Sequence, residues 1–355
     1  MMNNRLQHID IAKGIGILLV VFGHNNDTNI KGKLINIIFS FHMPLFLFLS
    51  GLFFNADGKF KKLILTKFDS IFKPYLTTLI IGYFIFKNDA IINYLVGIIY
   101  SSSSTIPIVW TPLWFLTHLW AVSIFSWLFI KITKLSNIKR IFQFLLLLLL
   151  LVIGFLIRDL LWNIPVSIGK FPLESSGQNF LLPGLPFSID IVFISGFFFL
   201  LGFLLKQDVF ALEFQAKYFL ISLFIFSFCQ YHFNYTIDLN FRRYDDLIIS
   251  TLEAILGIYI VLCISSFISR YKIIGQIFGY IGTGSLFILM FHYVFINQAY
   301  TFLNLYYPPN FLIRCLIFVF SSIIPLLIWE LVKSNDYLSL LFLPLKSNKL
   351  IKNQK

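Results

Sequence analysis

Apolar residues run along this chain in long unbroken stretches separated by short polar ones. The stretches are Leu6–His24, Leu34–Phe54, Pro74–Phe86, Leu113–Ile132, Ile141–Ile157, Ser188–Leu205, Tyr218–Phe233, Leu247–Ile268, Ile277–Ile296 and Phe311–Val332. Continuous runs of roughly 17–25 residues are what an α-helix needs to cross a bilayer. A transmembrane barrel would instead alternate apolar and polar positions. The pattern therefore predicts an all-α, polytopic bundle of about ten transmembrane helices. The third stretch is the shortest, and Ile91–Tyr100 either extends it or forms a separate re-entrant piece.

Composition excludes the soluble alternatives. Of 355 residues, 58% are hydrophobic and 12% charged, against about 25% charged in soluble domains, and mean hydropathy is +0.84. A soluble fold needs a charged exterior that this chain cannot supply. The net charge of +12 is not read as a nucleic-acid footprint. Lysine and arginine gather in alternate connections, notably Lys59, Lys61, Lys62, Lys67 and Lys73, and in the final lysines. The positive-inside rule then predicts both termini in the cytoplasm. Residues 1–335 read as one membrane domain and 336–355 as a short basic tail, in the inner (plasma) membrane. The first stretch contains Lys13 and lacks a small-x-small cleavage site, so it reads as a span and not a cleaved leader. Cys229, Cys263 and Cys315 are too scattered for a disulfide framework or a metal site, and no resident metal is expected.

Ionisable side chains inside such stretches are costly and mark candidate function. In RLQHIDIAKGIGILLVVFGH, Asp10 and Lys13 stand three apart and can pair. Lys13 and His24 stand eleven apart, which returns to nearly the same helix face about 16 Å along the axis. The plainer reading is a snorkelling lysine and a capping histidine. His42 lies in FSFHMPLFLFLSGLF, where Pro44 is expected to kink the helix just after it and Ser50-Gly51 permits close packing. His118 lies in PLWFLTHLW beside Trp114, and His292 in GTGSLFILMFH. All four histidines are expected in the outer half of the bilayer, where they could line one cavity. Glu253 sits well inside the eighth stretch and needs a partner or a proton. Asp190 opens the sixth, where a helix N-terminus favours an acid anyway. The lysine-rich loop before Pro74 suits anionic lipids or a phosphate-bearing ligand.

RLQHIDIAKGIGILLVVFGH, FSFHMPLFLFLSGLFF, KPY, PLWFL and GTGSLFILMFH, in this order, resemble the acyltransferase 3 family of integral-membrane O-acyltransferases, and within it the fucose-4-O-acetylase-like branch. The resemblance runs from Arg5 to Trp329. It implies ten membrane helices, an acyl-CoA co-substrate (acetyl-CoA above all) entering from the cytoplasm, no permanently bound cofactor, and a hydroxyl of a cell-envelope sugar or glycan as acceptor. The family's first-span histidine matches His24, and its basic residue eleven positions earlier matches Lys13. The basic pair before the third-span proline matches Lys67 and position 70. Ser70 breaks that pair, with Lys73 close enough to substitute.

A neutral histidine is suited to remove a hydroxyl proton near pH 7. His24 is thus the expected general base, or else a nucleophile carrying the acyl group as acyl-imidazole. His42, Ser285 and His292 are candidate donors to the developing oxyanion. Lys13, Lys67 and Lys73 are candidates for the donor's phosphates, Asp10 and Glu253 for charge partners, and Trp114, His118 and Ser285 for the substrate cavity. Membrane lipids are the remaining expected partner. The competing function is a transporter or flippase of a lipid-linked sugar, which would also use basic mouths and buried ionisable groups.

Overall fold

The computed structural model describes residues 4–25, 32–86, 91–102, 105–160, 162–166, 180–303 and 310–345. Residues 167–179 of the long connection before the sixth stretch, and 346–355 of the basic tail, lie outside them. The chain is a helical bundle with two small hairpins. Its elements are α1 (Asn4–His24), α2 (Lys33–Phe39), α3 (His42–Leu52), α4 (Phe60–Lys67), a π-helical turn (Phe68–Phe72), α5 (Lys73–Phe86), α6 (Ile91–Tyr100), α7 (Trp114–Thr133), α8 (Arg140–Ile157), α9 (Val192–Leu204), α10 (Lys206–Phe210), α11 (Ala216–His232), α12 (Leu247–Ile268), α13 (Lys272–Thr283), α14 (Ser285–Leu303), α15 (Phe311–Ser334) and α16 (Asp336–Phe342). Strands β1 (Trp162–Val166) and β2 (Phe180–Pro183) pair antiparallel, as do β3 (Ile237–Asp238) and β4 (Arg243–Tyr244).

Among the described residues, seven stretches are long and apolar enough to cross a membrane. The other three runs delimited in the sequence correspond to α1, which carries Asp10 and Lys13, and to the shorter α5 and α11, of 14 and 17 residues. Leu145, Leu148, Leu149 and Leu156 of α8 are more than half exposed or nearly so, as are Leu220, Phe224 and Phe228 of α11. Apolar faces of that extent suit lipid and not water.

Two compact units make up the chain. The first comprises Met1–Phe54, Phe198–Leu239 and Arg243–Trp329, and the second Asn55–Phe197, Asn240–Arg242 and Glu330–Lys355. In the first, α1 is central and packs against α12, α13, α14 and α3. Its contact with α13 is backbone to backbone. A Cβ on Gly14 would lie 2.2 Å from the Phe278 carbonyl oxygen, and one on Gly282 would lie 1.8 Å from that of Asp10. Only glycine permits this approach. Gly51 of α3 meets the backbone at Phe199 in the same way.

Two stretches read as single helices are interrupted. The ninth breaks at Gly284, so α14 begins at Ser285. The second breaks at Ser40–Phe41, before His42 and not after it. Pro44 explains the place. It has no N–H for the Ser40 carbonyl four residues earlier, and its ring would strike that oxygen, but in the first turn of a new helix it costs nothing. His42 therefore opens α3.

In the second unit, α7 packs against α4, the π-helical turn and the 3₁₀ segment Pro186–Ile191. A buried ion pair ties that segment. Arg242 donates through Nε (2.8 Å) and Nη2 (2.9 Å) to the two carboxylate oxygens of Asp190, and again to Ser102 Oγ (3.0 Å) and the Asn240 carbonyl (2.9 Å). Asp190 also accepts from the Leu185 amide at 2.8 Å. Around it Ser101, Gly184, Phe187, Ser188 and Arg242 all have left-handed backbone, with φ of 48°, 81°, 57°, 53° and 55°. Such conformations persist only where surrounding contacts hold them.

Candidate active site

α1 ends at His24, and its last turn is pinned. The Asn25 side chain donates to the Arg314 carbonyl at 2.8 Å, and Tyr300 donates its hydroxyl to the Asn25 carbonyl at 2.7 Å. The half-buried His24 ring lies almost parallel to that of His292 on α14, with 14° between planes. His24 Nδ1 is 2.8 Å from His292 Nε2. His292 is fully buried, and its Nδ1 faces the carbonyls of Ile288 (2.7 Å) and Leu289 (3.1 Å).

These partners assign the protons. A carbonyl only accepts, so His292 Nδ1 carries the hydrogen and its Nε2 is a lone pair. His24 must then donate from Nδ1 to that lone pair. The remaining ring nitrogen, His24 Nε2, is left as a basic lone pair. The same reasoning applies to His42, whose Nδ1 faces the Ile38 carbonyl at 3.1 Å. Phe39 packs against both rings, 6.4 Å from His24 and 4.6 Å from His42 between centroids. His42 and His292 thus present lone pairs, not N–H groups, from Nε2, which disfavours the expected oxyanion-donor role for both.

Of the residues singled out in the sequence, His24, His42 and His292 come together in the first unit. Ser285 does not join them, for it lies seven residues before His292, about 10 Å along α14. Lys13 pairs with Asp10 at 3.0 Å and sits 4.7 Å from the centre of the Phe53 ring. Glu253 is buried in α12.

His118 and Trp114 belong to the second unit. His118 donates from Nδ1 to the Phe187 carbonyl (3.1 Å), accepts at Nε2 from Ser195 Oγ (2.7 Å), and lies against Trp114, with 5.5 Å between ring centres. Lys73 is engaged within the chain, donating to Asp69 and to the Leu343 carbonyl, both at 2.6 Å. Asp69 in turn accepts from the Leu345 amide at 2.8 Å. Lys67 ends α4 half-buried, and burial lowers its ammonium below the ordinary lysine value.

Sequence reasoning missed Asn25, Ser195, Asp69 and Arg242. Asn25 adjoins the motif histidine and was within reach. The Arg242–Asp190 pair spans 52 residues, and only the opposite charges of two polar connections hinted at it.

An apolar multi-helix bundle with a hydrogen-bonded imidazole pair at the end of its first helix defines a multi-pass membrane protein with a candidate acid–base centre. Residues 6–330 match the model of the acyltransferase 3 family, described as an acyltransferase domain. The chain belongs to that family and is a membrane acyltransferase. No curated protein and no solved structure matches it significantly.

Proposed function

We propose that the chain is a membrane O-acyltransferase that moves an acyl group, acetyl in the first instance, from cytoplasmic acyl-CoA to a hydroxyl of a cell-envelope sugar or polysaccharide. The observation that carries this reading is the chain of hydrogen bonds from the Ile288 carbonyl through His292 to His24. It leaves His24 Nε2 as a neutral base at a half-buried position, the state a hydroxyl nucleophile requires.

In this scheme the acceptor O–H bond breaks as its proton passes to His24 Nε2. The oxygen bonds to the thioester carbonyl carbon. The tetrahedral centre then expels CoA thiolate with cleavage of the C–S bond, and His24 returns the proton to sulfur. His292 is a positioning residue that holds the reactive tautomer. Lys13, about 16 Å away along α1, is placed for the donor and not for this proton. Lys67 is the second candidate for the donor's phosphates. Lys73 is already engaged by Asp69 and the Leu343 carbonyl.

The test is thiol release from acetyl-CoA by purified protein supplied with glycan acceptors. His24→Ala should lower turnover about 10²- to 10⁴-fold, the usual worth of a general base, when compared at equal folded fraction. A folded His24→Ala protein that releases thiol at the wild-type rate would reject the assignment. Glycan movement across vesicles without thiol release would favour the transporter reading.

A further inference from the structure

Glu253 plays no part in that scheme. Its side chain on α12 is completely buried, and among the described residues neither carboxylate oxygen has a hydrogen-bond partner. Gln230 of α11, itself buried, faces it. The Gln230 amide nitrogen donates to the Tyr235 carbonyl at 3.3 Å, and its amide oxygen is also unpartnered. The other electrostatic neighbours of Glu253 are Asp245 and Cys229, an acid and a thiol.

Among the described residues no cation of the packed elements hydrogen-bonds to Glu253; on α11, Lys217 lies over the Tyr218 ring and His232 against Phe228. α1 and α3 also pack on α12. On α1, Lys13 is paired with Asp10, His8 faces the Val209 carbonyl, and His24 faces His292. His42 of α3 faces the Ile38 carbonyl. Arg243 is held by both oxygens of Asp245. Both Glu253 oxygens and Gln230 Oε1 are thus buried without a hydrogen-bond partner among the described residues, with the Gln230 amide beside the carboxylate. Buried polar groups are almost always paired, and a lone buried carboxylate is among the costliest exceptions.

We infer that Glu253 is a binding site for one small monovalent cation, a proton or a sodium ion, held between its carboxylate and the Gln230 amide oxygen. A proton would convert one carboxylate oxygen into a hydroxyl that donates to Gln230 Oε1, while the Gln230 amide nitrogen keeps Tyr235. Sodium would take the same oxygens as hard ligands. A divalent ion is a poor match, because it carries two charges and prefers several carboxylates, and this site brings one acid.

The experiment is infrared spectroscopy of the full chain, purified in detergent and labelled with ¹³C-carboxyl glutamate, at neutral pH in choline chloride. The glutamates are only Glu174, Glu213, Glu253 and Glu330. Glu213 is exposed and Glu330 pairs with Lys333 at 2.7 Å, and the difference between wild type and Glu253→Gln assigns the band. A labelled band of protonated carboxylic acid, lost in Glu253→Gln, establishes the proton. Ionised bands alone, with a melting temperature that rises when sodium replaces choline and a rise lost in Glu253→Gln, establish sodium. Ionised bands with no sodium-dependent rise overturn the site, as does an acid band that survives in Glu253→Gln. If that variant does not fold, Glu253→Met takes its place. None of these readings depends on turnover, so the result stands apart from that for acyl transfer.

Discussion

Replacing His292 by alanine isolates the step on which the proposed chemistry depends. The substitution leaves His24 in place but removes the acceptor that lies 2.8 Å from its Nδ1. Proton transfer turns His24 into an imidazolium whose Nδ1–H needs that acceptor more than the neutral ring does, and loss of such a bond costs about 1–3 kcal/mol. Each 1.36 kcal/mol is tenfold in rate, so kcat/KM should fall about fivefold to 150-fold. This is less than the loss of the base itself, because His24 can still accept a proton in the fraction of rings that keep the productive tautomer and orientation. Glutamine at 292 offers an amide oxygen to the same N–H and should recover much of the rate. The assay is initial thiol release over a range of acetyl-CoA concentrations, with each variant compared at equal folded fraction by thermal melt. A His292→Ala enzyme as fast as wild type would refute the tautomer argument. So would a folded His292→Gln enzyme no better than His292→Ala.

Three further outcomes follow from geometry elsewhere. Asp190→Ala or Arg242→Ala should each destabilise the protein by about 3–5 kcal/mol, since either leaves a buried charge alone, and the double variant should lose less than the sum in a denaturant-based mutant cycle. Gly282→Ala puts a Cβ 1.8 Å from the Asp10 carbonyl oxygen, so α1 and α13 must separate, and overpacking of this kind costs about 1–3 kcal/mol, read as a lower melting temperature. Burial alone would raise the Asp245 carboxyl, but Arg243 and Thr236 outweigh it and hold it below the ordinary aspartate value. Its stabilisation is therefore complete above about pH 3.9 and is lost as pH falls through the lower folded value. Asp245→Asn should flatten that acid limb in a melt series.

The helical membrane class was legible because burial in lipid demands long apolar runs, and nothing in α8 or α12 contradicts the pattern. The interruptions were less legible. Pro44 announced a break, but its position follows from the carbonyl four residues before the proline, which places the break ahead of His42. Gly284 gave little local sign, since an isolated glycine inside an apolar run is compatible with an unbroken helix. His24 stood out by its spacing from Lys13 and by the motif around it. That His292 is its partner could not be read, because the two are 268 residues apart and four histidines of similar predicted depth offered equal claims. His118 shows the ambiguity. Its two ring nitrogens are occupied by the Phe187 carbonyl and Ser195 of the second unit. The place of Lys73 near Pro74 suggests a phosphate ligand, and its i,i+4 pairing with Asp69 is local, but its contact with the Leu343 carbonyl depends on the distant end of the chain.

Three of the partners of α1 are among the last helices to be synthesised. α12, α13 and α14 leave the ribosome more than two hundred residues after it, and at about 5–20 residues per second the first helix waits roughly a quarter of a minute to a minute for His292. During that wait it carries an aspartate and a lysine in a lipid environment. Their spacing of one turn lets each neutralise the other within the same helix, so α1 needs no neighbour to remain inserted. The ion pair at its other end from His24 is thus a device of biogenesis as much as of the finished enzyme. It lets the helix that bears the base be laid down first and completed last.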